Sequence, residues 1–288
     1  MSAALRAIVE PGFFGSGTVQ VALAAAGVVA LVASTVGVFT VIRGQAFAGH
    51  ALADLGAGGG SAALLGGVGA LWGFIAISIA GAGAMQAVGI ERRRGRDLAT
   101  GIVLGAGLGL AALLLYLDST TTSTTGAANL VLFGSVFAIS PATIPEIVGF
   151  GGAALAIIAV LYRPLLLSSV SPELAAARGV AVAWIGALYL IALATAVALS
   201  CLTIGAILST ALLIGPAATA LRLTRRPGLA IAAAAAIAIA VCWLGILLAY
   251  DSYYWPPHQH GWPVSFFIVV LVLIGYLAAR ALGPRSAR

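Results

Sequence analysis

Long apolar runs separated by short polar breaks organise this chain, and the lengths of the runs decide what they can be. Residues 18–42, 98–117, 144–162, 228–249 and 264–282 each come close to the roughly 20 residues that a helix needs to cross a bilayer. The stretches 46–90 and 179–221 are long enough for two such helices each, which predicts eight or nine spans in all. The first long stretch is interrupted by Gly56, Gly58, Gly59 and Gly60, and Pro216 in the second is expected to kink its helix. Residues 130–140 are apolar but too short to cross, and are expected to lie at the interface or to re-enter. The fold class is therefore all-α, a polytopic transmembrane bundle. Residues 1–17 form an interfacial lead, 18–282 one membrane domain and 283–288 a tail.

Composition removes other classes. Of 288 residues, 62% are hydrophobic and 8% charged, against roughly 25% charged in soluble domains. A surface so poor in charge faces lipid. All 14 basic residues are arginine. Without lysine the chain has no GxxxxGK[ST] phosphate loop and no Schiff-base nucleophile, which excludes a standard P-loop NTPase, a retinal pump and pyridoxal chemistry. The net charge of +6 is read as membrane orientation, with no nucleic-acid partner, because the arginines sit at span ends. Arg43, Arg92 to Arg96, Arg163 to Arg178, Arg222 to Arg226 and the tail fall on one face and place it in the cytoplasm, with the loop around Tyr253, Tyr254 and Trp255 outside. Cys201 and Cys242 lie in apolar runs and read as small hydrophobes. No basic stretch followed by a cleavage site opens the sequence, so no removable signal peptide is expected.

Acids and histidines are few enough to consider one by one. Of eight acids, Asp54 stands alone well inside an apolar run, and His50 is the one histidine of three within a span. Four residues apart, the two share a helix face. A carboxylate near a helix centre costs about 2.5–3.5 kcal/mol on insertion scales, so such a residue faces an interior and has a task. Imidazole nitrogen and carboxylate oxygen make half of a metal site suited to Zn²⁺ or Mn²⁺, which a second copy would complete. A His–Asp hydrogen bond that ties helices together, or a proton relay, fits the spacing equally well. The glycines that follow either loosen the helix to expose backbone along an ion path or allow close packing. In the outer loop, His258 and His260 could capture metal from a delivery protein, although exposed histidines are more often incidental.

Several blocks resemble the permeases of zinc and manganese ABC importers. Arg43-Gly44-Gln45-Ala46-Phe47-Ala48-Gly49-His50-Ala51-Leu52-Ala53-Asp54 is similar to the opening of their second helix, which runs Arg-Arg, a short apolar stretch, then Gly-Asp-Ala-Leu-Ser-His. Leu130-Val131-Leu132-Phe133-Gly134-Ser135 resembles their Leu-Phe-Gly block. Ser171-Pro172-Glu173-Leu174-Ala175 resembles their Asp-Pro-Glu-x-Ala segment, which docks on the ATPase. The run from Gly205 to Ala220 matches Gly-x-Leu-Leu-x-x-Ala-Leu-Leu-x-x-Pro-Ala-Ala-x-Ala. Two departures stand out: His50 precedes Asp54 where the family has Asp first, and Ser171 replaces the docking Asp.

The resemblance implies an ABC type II importer-like fold and a homodimeric permease that is itself no enzyme. It implies a separate pair of cytoplasmic ABC ATPases, an extracytoplasmic metal-binding protein and a plasma (inner) membrane location. His50 and Asp54 would bind Zn²⁺ or Mn²⁺ as cargo, with no permanent cofactor. The 163–178 segment, with Ser171, Pro172, Glu173 and Leu174 at its centre, would couple to the ATPase. Three rivals stay open: a proton-coupled secondary transporter, an ABC permease for a metal chelate, and a non-transporting scaffold.

Overall fold

The computed structural model describes residues 12–88, 96–121, 130–134, 136–255 and 261–282. The first 11 residues of the lead, most of the charge run at 91–97, the polar stretch 122–129, the tail, and His258 and His260 lie outside the described residues. All regular structure among the described residues is helical. The principal helices are α1 (Gly17–Ile42), α2 (Ala46–Leu65), α3 (Ala70–Val88), α4 (Arg96–Thr121), α5 (Ile144–Val170), α6 (Pro172–Ala177), α7 (Val182–Ile204), α8 (Ala206–Leu223), α9 (Pro227–Ser252) and α10 (Val264–Leu282). Eight of them carry a segment long and apolar enough to cross a membrane. Among the nine helices of 18 residues or more, the exception is α2. It is the helix that holds His50, Asp54 and the glycine cluster, whose polar and small residues lower its hydropathy.

Buried α1 and α7 form the centre. Around α1 pack α5, α7, α8 and α9, while α2 lies against α3 and α4 and reaches α7 and α8. Hydroxyls within this core bond back along their own helices, as Thr40 Oγ1 does to the Val36 carbonyl (3.0 Å) and Ser200 Oγ to that of Ala196 (2.8 Å). Their hydroxyl protons are thereby satisfied within the helix, which leaves the Thr40 oxygen free to accept from Tyr189 Oη of α7 (2.8 Å).

Lipid provides no hydrophobic drive for helix association, so small residues that let backbones approach do much of the work. The clearest case is the glycine cluster. Instead of breaking, α2 continues through it to Leu65, because its neighbours occupy the space that side chains would need. A methyl group on Gly56 would come within 2.8 Å of Ser78 Oγ, and one on Gly60 within 2.8 Å of the Phe74 ring. On Gly59 it would run into the Gly73 carbonyl. Of the two sequence readings, close packing is the one realised.

The short piece after α4 is helical at residues 130–133 and followed by one turn at Val136–Ala138. It does not lie loosely at the surface: Val131 is fully buried, and the loop at Gly134 crosses the break between α7 and α8 at Gly205. Gly205 has φ 85° and ψ 161°, a region essentially confined to glycine, and a side chain there would collide with the Leu132 carbonyl. α8 then runs on through Pro216.

The 163–178 segment also differs in form from a simple loop. α5 has 27 residues, about 40 Å at 1.5 Å per residue, longer than the roughly 30 Å hydrocarbon core. It emerges as helix and stops at Ser171. Ser171 Oγ then accepts the Leu174 N–H (3.3 Å) and starts α6, with Pro172 and Glu173 in its first turn.

Candidate functional site

His50 and Asp54 sit one turn apart on α2, as their spacing requires. His50 Nε2 and Asp54 Oδ2 are 3.7 Å apart. That is too long for a hydrogen bond, and both residues belong to one helix, so their contact ties no helices together. The helix-linking contact is made by the other ring nitrogen, with His50 Nδ1 3.3 Å from Thr210 Oγ1 on α8. Thr210 thereby orients the ring and leaves Nε2 directed toward the carboxylate. Asp54 is 8% exposed and its Oδ2 has no hydrogen-bond partner, whereas the His50 side chain is 41% exposed. One side chain of the pair is thus held inside the bundle and the other opens to its outside.

The spacing is close to that of two ligands on one ion. Donors bound at about 2.1 Å stand about 3.0 Å apart at a right angle and about 3.4 Å apart at the tetrahedral angle. A few tenths of an ångström of side-chain movement brings Nε2 and Oδ2 into that range. Among the described residues no cluster of three or more His, Cys, Asp or Glu is poised to hold a metal.

The surroundings hold residues that the sequence did not single out. Cys201 on α7 packs its thiol 4.0 Å from the Ala53 carbonyl. It is fully buried, which agrees with its reading as a small hydrophobe, but it stands directly behind the acidic turn of α2. Thr210 was recognisable only as part of the Gly205-to-Ala220 block, and nothing in that pattern distinguishes it from its neighbours.

The residues that the sequence suggests for docking lie elsewhere. Pro172, Glu173 and Leu174 are exposed, and Ala175 beneath them is buried. Ser171 supplies the helix cap that Asp would supply, since both side chains accept a backbone N–H at that position. The substitution therefore preserves the local structure. From the start of α7 beside α6 to Cys201 is 19 residues, about 28 Å of helix. Asp54, whose neighbour Ala53 meets Cys201, is the farther of the pair from α6, and His50 lies one turn nearer.

Arginine contacts gather at the α6 end. Arg43 reaches Ser168 and Ser169 of α5 (3.3 and 3.4 Å), and Arg222 at the end of α8 bonds Tyr276 Oη of α10 (2.9 Å). Aromatic rings cluster where α9 ends and α10 begins, with Trp255 and Trp262 against Phe267. Rings of this kind favour a membrane interface.

Residues 16–278 match the ABC 3 transport family. The chain belongs to this family. It is a multi-pass protein of the plasma membrane. This ABC 3 family member is 35% identical over 211 residues to the manganese transport system membrane protein MntC of Halalkalibacterium halodurans, covering 72% of this chain and 70% of the relative. It is 30% identical over 201 residues to the manganese import system permease protein ScaB of Streptococcus pneumoniae, covering 70% of each. Among solved structures, PsaBC from Streptococcus pneumoniae in complex with Fab superposes with a TM-score of 0.79 over 95% of both chains at 26% identity. An inward-facing metal-chelate type ABC transporter gives a TM-score of 0.75 over 94% of this chain and 87% of that one. At 17% identity the second likeness shows the fold alone.

Proposed function

We propose that this chain is the membrane-spanning subunit of an ATP-driven importer for a divalent transition-metal ion, with Mn²⁺ the first cargo to test and Zn²⁺ the second. The observation that carries the reading is the pair on α2: an imidazole nitrogen 3.7 Å from a buried carboxylate oxygen that has no hydrogen-bond partner. A mixed N/O donor set suits Mn²⁺ or Zn²⁺ over Ca²⁺ or Mg²⁺. Two copies of the chain, with their α2 helices facing across a shared path, supply four such donors. The names of the curated relatives favour manganese.

ATP is hydrolysed on a separate chain, because this one has no lysine for a phosphate loop. The exposed face of α6, with Ser171 as its cap and Pro172, Glu173 and Leu174 outward, is the surface offered to that ATPase. The arginine-bearing end of the bundle faces the cytoplasm. An extracytoplasmic metal-binding protein delivers the ion at the aromatic end. Closure of the ATPase then moves the bundle between outward and inward openings around the pair.

The test is ATP-driven Mn²⁺ uptake into liposomes by the permease together with its ATPase. His50→Ala and Asp54→Ala variants are each expected to lose at least about ten-fold in uptake, the scale on which even supporting residues affect metal sites. Wild-type uptake by both variants would remove the assigned site. Uptake by the chain without ATPase, driven by an ion gradient, would identify a secondary transporter instead.

A further inference from the structure

The turn between α1 and α2 is where the two sets of candidate residues come within reach of each other. Arg43 follows the last residue of α1, Gly44 turns the chain with φ 63°, and the backbone of Gln45 bonds both ways, its N–H to the Thr40 carbonyl and its carbonyl to the Gly49 N–H in the first turn of α2. Arg43 Nε donates to Gln45 Oε1 (3.3 Å), while Nη1 donates to the hydroxyls of Ser168 and Ser169 (3.3 and 3.4 Å). Those hydroxyls donate in turn to the Leu165 carbonyl of their own helix, which leaves their oxygens to accept from the guanidinium. The guanidinium carbon of Arg43 lies over the Tyr189 ring on α7, 5.0 Å from its centre, and Tyr189 Oη donates to Thr40 Oγ1 (2.8 Å).

One half-buried side chain thus holds three things at once: the end of α5 two or three residues before α6 is capped, the start of the helix that carries His50 and Asp54, and the central helix α7. Gln45 is 1% exposed, so the turn has no slack toward solvent. We infer that Arg43 is a positioning residue that carries the movement of α6 into α2, so that ATPase motion repositions the metal pair. This rests on the reading of α6 as the ATPase contact. The fork geometry is essential to the inference. A guanidinium can spread donors over two helices while stacking on a third, and an ammonium of equal charge cannot.

The experiment uses the complete transporter in liposomes and reads Mn²⁺ taken up per ATP hydrolysed. Arg43→Lys keeps the cytoplasmic charge, so it is expected to insert, assemble and hydrolyse ATP, yet uptake per ATP should fall at least about five-fold, the lower end of ordinary coupling between sites. The Ser168→Ala/Ser169→Ala double variant removes the acceptors while leaving Arg43 in place, and should show the same loss. Uptake per ATP within about two-fold of wild type in either assembled variant would overturn the inference. Failure of both to assemble would also overturn it, by making the cluster a folding element. If the wild-type transporter itself shows no ATP-driven uptake, the reading of α6 falls, and this inference with it.

Discussion

One of the close helix contacts among the described residues allows a prediction with a worked magnitude. At the α2–α3 crossing, a methyl group on Gly59 would lie 2.7 Å from Ile77 Cβ and Cγ1, where ordinary contact begins at 3.4 Å, and closer still to the Gly73 carbonyl. Gly59→Ala must therefore push α2 and α3 apart by at least 3.4 − 2.7 = 0.7 Å. Backbone and a β-branched stem cannot swing away, so the strain belongs with overpacked cores, about 1–3 kcal/mol. Alanine also favours helix over glycine by about 1 kcal/mol, a gain that partly masks the strain. Gly83→Ala on the exposed face of α3, where nothing lies within 4 Å, receives that gain without a clash. The difference between the two variants is then the strain itself, about 1–3 kcal/mol. Thermal unfolding of the detergent-solubilised protein should place Gly59→Ala several degrees below Gly83→Ala. Asp54 lies five residues from the wedge, about 7.5 Å along the helix, so Mn²⁺ uptake should fall as well. Equal melting temperatures for the two variants would refute the close-packing account of the glycine cluster.

Two further substitutions test the α2 pair and the proposed role of α6. Ser171→Ala removes the cap of α6 and should cost about 1 kcal/mol locally, seen as faster amide exchange in residues 172–177 and weaker ATPase binding, whereas Ser171→Asp should behave as wild type. Thr210→Val frees the His50 ring without touching either ligand; it should weaken apparent Mn²⁺ affinity about ten-fold, raising KM more than it lowers the maximal rate, and an unchanged KM would show that Thr210 does not orient the ring.

What could be foreseen from the sequence was whatever is local or set by composition. His50 and Asp54 were identifiable because intramembrane acids and histidines are scarce here and a separation of four residues defines one helix face. α6 was foreseeable as a segment, since Ser171-Pro172-Glu173 spells a cap followed by a first turn. The glycine cluster was ambiguous, because four glycines suit a broken helix or a tight crossing equally, and the answer depends on Phe74, Ile77 and Ser78 in a different helix. Thr210 escaped notice, and Cys201 was read only as a small hydrophobe, for the same reason: each meets α2 across some 150 residues of chain. The α5 extension was hidden because Arg163-Pro164 and the serines Ser168, Ser169 and Ser171 look like a loop, yet the helix runs on through Pro164 to Val170.

The most direct test of the metal pair is spectroscopic. Mn²⁺ added to the purified transporter has an electron spin that senses nearby nitrogen nuclei, so pulsed electron paramagnetic resonance reports whether an imidazole is a ligand. Nitrogen coupling is expected in the wild type and in the Cys201→Ala variant. It should be absent from His50→Ala, and Asp54→Ala should bind Mn²⁺ much more weakly. A wild-type spectrum without nitrogen coupling, or one that persists unchanged in His50→Ala, would contradict the assignment of the α2 pair as the place where the ion is held.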